Sequence, residues 1–367
     1  MAGVRPFLAA DIEPVAALSW KVMHGRQGPA PAALTRYFDE LFLHNPWLDD
    51  GIKSQVCEDA NGRIVGFFGA VPRRMNLQGK TIRIAFGSNF IMEPGSRTAM
   101  AAMQLVRAFL KGTQDISMTD SANESSRQLL RSLGFQIVPA YSLLWFRPLR
   151  VARYAFHGAA RLKKSTTLKL VNSVGKPLWS IIDMFAARGS LSPLCLNRPD
   201  TELAELDTAT LLELLGKIPP RNWMLPEYNL ASLDWVVNFV NSHKPYGPLC
   251  KRVVRKPDGK PLGWYIYGGS AGNVGEVLQV GAESSAIDKV LNTLFYDAFE
   301  RGLIGLHGRV EPYMMQELTM KSCFFIRNGS WTLVHSDKVD LLNLFHSGAA
   351  FFSRLDGEWS LRPGNVE

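Results

Sequence analysis

Two hairpin turns set far apart restrict this chain more than any other feature. Asn61-Gly-Arg-Ile-Val-Gly-Phe67 is echoed by Asp258-Gly-Lys-Pro-Leu-Gly-Trp264, and each opens with the Asn-Gly or Asp-Gly pair that favours a tight turn between antiparallel strands. The order of elements behind the two turns also repeats. After the first, residues 80–92 read as a strand, 97–110 as a helix, 115–118 as a strand and 123–133 as a helix. After the second, residues 275–280, 285–301, 304–310 and 312–321 give strand, helix, strand and helix again. Laying Cys323 on Gly134 puts Pro312 on Asn123 and Leu318 on Leu129. Such a repeat predicts two tandem copies of one folding unit.

Length and composition accommodate two copies. The chain has 367 residues, 46% hydrophobic and 20% charged, which exceeds one typical domain and supplies apolar residues for two cores. Ahead of the first turn, residues 4–8 read as a strand, 12–23 and 32–43 as helices, and 54–59 as the first arm of the hairpin; residues 136–146 read as a strand closing the unit. Mixed strands with helices inserted after a central hairpin form a three-layer α+β pattern.

Four cysteines, Cys57, Cys195, Cys250 and Cys323, are scattered without a Cys-x-x-Cys pair. They read as reduced packing residues, which removes zinc clusters and disulfide scaffolds from the expected chemistry. Asp11 and Glu13 interrupt the N-terminus before a signal-length apolar core builds, and residues 168–187 are too interrupted by Lys169, Lys176, Pro177 and Asp183 to span a membrane. A cytoplasmic protein is expected, with peripheral contact at the inner membrane surface as the further option.

Charge is concentrated between the two copies. Nine bases and one acid, Asp183, lie between Trp145 and Gly189, which accounts for the whole net charge of +8. Arg150, Arg153, His157, Arg161 and Lys164 recur at helical spacing, beside a stripe of Val151, Tyr154, Ala155, Gly158 and Leu162. A basic helical linker over residues 150–200 is expected, between a first domain at 1–149 and a second at 201–367. Its basic face suits solvent, or an anionic membrane surface.

The chemistry is carried by Asn123-Glu-Ser-Ser-Arg-Gln-Leu-Leu-Arg-Ser-Leu-Gly-Phe135. Asn123 is placed to cap a helix, Ser126, Leu129, Leu130 and Leu133 recur along it, and Gly134 supplies the left-handed residue that ends it. Upstream, Met92-Glu-Pro-Gly-Ser-Arg-Thr-Ala-Met-Ala-Ala102 joins a strand to a helix. Together these segments resemble the GNAT (N-acetyltransferase) superfamily over roughly residues 4–149. That family's Val-x-Pro-x-x-Arg-Gly-x-Gly-x-Gly/Ala loop is matched at Pro94, Arg97 and Ala102, with Thr98 and Met100 replacing glycines. Its Asn-x-x-Ala/Ser-x-x-Leu-Tyr-x-x-Leu-Gly-Phe pattern is matched throughout except at Leu130, where a tyrosine often protonates the leaving thiolate.

The resemblance implies two GNAT-like α/β/α domains with mixed central sheets. It also implies acetyl-CoA or another acyl-CoA as donor, held mainly through backbone groups of Ile91, Met92, Arg97, Thr98, Ala99, Met100, Ala102 and Asn123. A helix N-terminus binds phosphate whatever its side chains are, which preserves part of the loop's logic without its glycines. Backbone groups of Ser88 to Met92 would face the thioester. Asp120, at the end of the strand before Asn123, is the candidate catalytic base, although an Asp-Ser pair also serves as a turn. His24 and His44 read as capping or packing residues. The Asn45-Pro46-Trp47 corner resembles bacterial GNAT-like proteins associated with surface polysaccharide assembly.

The second copy has Gln279-Val-Gly-Ala-Glu283 where a cofactor loop would begin, and a vestigial site is expected there. Leu233-Asp-Trp235 and Leu355-Asp-Gly-Glu-Trp359 read first as core tryptophans and surface acids, and second as groups lining an acceptor cleft. The expected function is N-acyl transfer from acyl-CoA to an amine, an amino sugar or cell-envelope precursor, by direct attack and without a metal. A Fem-type transferase using aminoacyl-tRNA, the one reading that brings in nucleic acid, and a non-catalytic adaptor are the alternatives.

Overall fold

The computed structural model describes residues 3–95, 99–154, 195–243, 246–327 and 329–363. The expected pair of mixed sheets is present. The first sheet runs β1 (Gly3–Pro6), β2 (Gln55–Glu58), β3 (Ile64–Leu77), β4 (Lys80–Met92) and β5 (Ile116–Ala122), then β15 (Trp331–His335) and β6 (Gln136–Ile137). A short β9 (Met224–Pro226) pairs with the far end of β3. The second sheet runs β8 (Glu202–Glu205), β10 (Leu249–Arg255), β11 (Pro261–Gly268), β12 (Val274–Ala282) and β13 (Gly305–Arg309), then β7 (Leu144–Pro148) and β14 (Phe324–Ile326). In each sheet one parallel pair, β4/β5 or β12/β13, stands among antiparallel neighbours.

Both predicted hairpin turns are made, with Gly62 and Gly259 at φ 77° and 85°. The long β3/β4 hairpin closes through Gln78 and Gly79, both at positive φ, the geometry that matches strand twist in a two-residue loop.

The strand expected over residues 136–146 divides instead into β6, a single 3-10 turn at Ala140–Ser142, and β7. Pro139 begins the turn, and the buried Tyr141 hydroxyl donates to the Ala350 carbonyl at 2.6 Å, which fixes the bend. As a result β7 joins the second sheet, while β15 crosses back to pair with β5 in the first. The two copies therefore exchange the strand that flanks their fifth strand.

Helices cover both faces of each sheet. On the first, α1 (Ile12–Met23) and α2 (Ala32–Leu43) bury Val15, Leu18, Leu34 and Phe38 against Val56, Phe67 and Ile84. On its other face, α3 (Ala99–Leu110) and α4 (Glu124–Ser132) bury Leu105, Val106 and Leu130 against Val65, Phe68 and Ala85. The second sheet repeats this layering. Its α5 (Thr208–Lys217) and α6 (Leu230–His243) lie on one face, with α7 (Ile287–Glu300) and α8 (Met315–Met320) on the other.

The overlay of the copies needs a shift of one residue. Gly134 and Ser322 are the left-handed residues that follow α4 and α8, so Ser322, not Cys323, corresponds to Gly134. Leu318 then falls on Leu130, and both are buried.

After α9 (Val339–His346), the segment from Ala350 to Leu361 runs between the two halves and is buried along most of its length. Phe352 and Leu361 join the core under α1 and α2, whereas Phe351 and Leu355 join the core of the second half. Of the expected linker, the helical turn 151–154 is described, and Arg150 packs its guanidinium 4.2 Å from the Phe299 ring centre while donating to the Phe299 carbonyl. Residues 155–194, including His157, Arg161 and Lys164, lie outside the described residues. Among the described residues no helix is long and apolar enough to cross a membrane.

Candidate active site

Strands β4 and β5 pair for three residues, Ile84 with Ile116 through Phe86 with Met118, and then part. Asn89 sits at φ 50°, beside a register shift between β3 and β4. The extra residue reverses the side-chain phase of β4. Before it Ile82, Ile84 and Phe86 face α1 and α2; after it Ile91 faces them, and Phe90 and Met92 turn to the α3 side. A bulge of this kind bends a strand away from its neighbour, and a wedge-shaped gap opens between β4 and β5. Gly87 at the apex is required by close packing, since a Cβ there would lie 2.5 Å from the Phe68 ring.

A cavity of about 440 Å³ occupies this gap. Ser19, Met23, His24 and Tyr37 line it from α1 and α2, and Phe68, Phe90, Asn123, Ser126 and Leu130 from the opposite side of the sheet. It therefore passes from one face of the sheet to the other. His24, read from the sequence as a cap or packing residue, both follows the last residue of α1 and lines this cavity.

Glu358 enters the gap from the C-terminal segment and is buried. Its carboxylate accepts from the Thr119 hydroxyl at 2.8 Å and from the Ser121 hydroxyl. Burial, reinforced by the charge of Asp120, raises its pKa to about 7, against the opposing pull of these two hydroxyls and of Arg362. Tyr37 accepts from the Asn89 side-chain amide at 2.9 Å, and burial raises its pKa, so the phenol keeps its proton. Arg362 and Pro363 stand at the same cavity, one turn beyond Glu358.

Asp120 is turned away. It alternates with Thr119 and Ser121 along β5, and its carboxylate receives the Arg309 guanidinium at 2.6 Å in a buried ion pair between the sheets. It also lies directly beneath Gly357, where a Cβ would come within 2.2 Å of its oxygen. Close approach at this glycine is what lets the chain bring Glu358 over the end of β5.

The expected cofactor residues are distributed around the gap. Asn123 lines the cavity and caps α4, its side chain accepting from the Ser126 backbone N–H at 2.9 Å. Ile91 is buried in the core under α1 and α2, while Met92 packs toward α3. Ala99 opens α3, Ala102 lies in its first turn half-buried, and Met100 is exposed. Arg97 and Thr98 lie outside the described residues. No group of His, Cys, Asp and Glu among the described residues is arranged to hold a metal.

No family model and no curated protein matches this sequence. Solved structures match its fold over nearly the whole chain. A probable N-acyltransferase from Enterococcus faecalis aligns at 12% identity and a TM-score of 0.58, covering 92% of this chain and 73% of that one. A GCN5-related N-acetyltransferase from Anabaena variabilis aligns at 11% identity and 0.57, covering 92% and 74%. The N-myristoyltransferase of Saccharomyces cerevisiae, solved with myristoyl-CoA, aligns at 12% identity and 0.51, covering 91% and 82%. The fold is that of the GCN5-related N-acetyltransferases, present twice in tandem.

Proposed function

We propose that this protein transfers an acyl group from an acyl-CoA to an amine in the β4/β5 gap, with Glu358 as general base. The reading rests on a buried carboxylate held by the Thr119 and Ser121 hydroxyls between two strands that have parted, where burial pushes its pKa up to about 7. A base titrating near the working pH combines a useful deprotonated fraction with real basicity. Beyond Phe86 the edge of β4 is released from β5 and offers backbone groups to an extended amide-bearing chain. Phe68, Phe90 and Phe109 pack together on the α3 side, which favours a short acyl group such as acetyl.

Glu358 takes one proton from the acceptor ammonium. The neutral nitrogen then attacks the thioester carbon, the C–N bond forms and the C–S bond breaks. The second nitrogen proton goes to the departing thiolate, since Leu130 supplies no acid. Asp120 holds the sheets together and raises the basicity of Glu358 by its charge. Amino sugars and envelope precursors stay within the proposal as acceptors, as does a membrane-surface role for the nine bases between Trp145 and Gly189.

Calorimetric titration with CoA and acetyl-CoA, paired with thiol release in the presence of an amine panel, tests this reading. One-to-one binding and amine-dependent release are expected, with Glu358→Gln binding the donor but failing to turn over. Absence of any CoA binding would refute the donor assignment.

A further inference from the structure

Among the described residues lining the cavity, Arg362 is the one permanent cation and Glu358 the one carboxylate. The Arg362 guanidinium lies 3.6 Å from the centre of the Trp359 ring. Trp359 is itself fixed: its carbonyl accepts from the Tyr246 hydroxyl at 2.6 Å, and the buried Arg354 also packs on its ring, at 4.3 Å. Arg354 is paired with Glu276. At that distance over the ring, the Arg362 guanidinium is held by the aromatic face rather than by hydrogen bonds. No acceptor among the described residues takes its N–H groups, in contrast to Arg5, held by Asp11 and Glu58, and Arg309, held by Asp120. A guanidinium held by an aromatic face, with its fork free beside a cavity, is preorganised for a planar or tetrahedral oxyanion.

We infer that the acceptor carries an anionic oxygen group, a carboxylate or phosphate, which Arg362 binds while Glu358 receives the amine of the same molecule. The two residues are separated by the 3-10 turn Glu358–Leu361, so their backbones stand roughly 8 Å apart at about 2 Å per residue. That spacing suits a ligand whose amine and anion lie within one monomer, such as an amino acid or an amino-sugar phosphate. It does not suit a long polyamine. Arg362 belongs to the wall formed with α1 and α2, whereas Asn123 and Ser126 line the opposite end, where the donor is placed. The identification of the amine rests on the N-acyltransferase reading; the anion site does not.

The test uses the full chain without any acyl donor, titrated calorimetrically with matched amines: alanine against alaninamide, and glucosamine 6-phosphate against glucosamine. The anionic member of one pair is expected to bind at least tenfold more tightly, and which pair shows the preference tells carboxylate from phosphate. Arg362→Gln should abolish the preference, Arg362→Lys should retain part of it, and CoA affinity should not change in either variant. Equal affinity within both pairs would overturn the inference. So would a loss of CoA affinity in Arg362→Gln, which would place the guanidinium on the donor. Because the amine titrations contain no donor, failure of acyl-CoA binding sinks the transferase reading and leaves them interpretable.

Discussion

The two halves part their parallel strands in the same way and fill the gap differently. In the first, β4 and β5 separate beyond Phe86 and Met118 and enclose a cavity of about 440 Å³. In the second, β12 and β13 separate beyond Val277 and Gly308, and the protein's own C-terminal segment enters. Leu355 donates its backbone N–H to the Leu278 carbonyl at 3.0 Å, Gln279 donates to the Ser353 hydroxyl at 3.1 Å, and Arg309 reaches the Ser353 carbonyl. The lesson is that one gap of this fold anchors a chain segment that equips the other. Three residues beyond Leu355, the same segment delivers Glu358 to the first gap.

Removing the delivered carboxylate has the largest expected effect. Glu358→Gln is expected to lower kcat/KM by about 10²–10⁴, the usual worth of a positioned proton acceptor, with acyl-CoA binding unchanged. The base acts deprotonated, so wild-type log kcat/KM should rise with pH to a plateau above about 7. The variant should lose that limb. Asp120→Asn separates the two carboxylates: loss of the neighbouring charge lowers the pKa of Glu358 and moves the profile of the folded enzyme toward acid, while the Arg309 guanidinium left unpaired costs stability. If Asp120→Asn instead abolishes activity and Glu358→Gln does not, the base is Asp120.

Next in size is the pin between the halves. Arg309→Met strands the Asp120 carboxylate in the interior, and breaking a buried pair from one side costs about 3–5 kcal/mol. Adding Asp120→Asn should restore much of that loss in urea unfolding. If Arg309→Met costs under about 1 kcal/mol, the ion pair does not hold the halves together.

Stability against pH gives a smaller effect of opposite sense to the usual carboxylate. The folded pKa of Glu358, about 7, lies above its ordinary value of 4.5, so the folded state takes up a proton between them. Its contribution is neutral below 4.5 and becomes progressively destabilising as pH rises from 4.5 through about 7. Glu358→Gln should lack this decline, and unfolding midpoints at pH 5 and pH 8 measure it. A decline of equal size in the variant would mean that other groups cause it.

Local chemistry made much of the fold legible. Asn61-Gly62 and Asp258-Gly259 announced the two hairpins, and Asn123 with Gly134 marked both ends of α4, because turns and caps are decided by adjacent residues. Strand exchange was not legible: β7 and β15 are short apolar runs whose sequence says strand without saying which sheet. The site was legible in half. Its wall at Asn123 followed from the motif, but Glu358 meets Thr119 across 239 residues. Its trace was Leu355-Asp-Gly-Glu-Trp359, which reads first as a core tryptophan with surface acids and only second as cleft lining, whereas Asp356 and Glu358 are both buried and Glu358 lines the cavity.

The smallest expected effect compares the helix starts that face each other under the overlay. Laying Ser322 on Gly134 puts Glu311 on Asn123. Asn123 is extended and accepts from Ser126 N–H, whereas Glu311 makes no side-chain cap and is followed by Pro312, which has no N–H to satisfy. Burial pushes the Glu311 carboxyl well above its ordinary value, with the Asp356 charge adding to the rise, which favours the protonated form that glutamine imitates. Asn123→Ala should therefore cost about 1 kcal/mol through the lost cap, and Glu311→Gln within about 0.5 kcal/mol of nothing, both read from urea midpoints. A larger loss at Glu311 would mean that the second gap relies on an ionised carboxylate beside the segment that fills it. The two halves would then differ less in electrostatics than in what fills them.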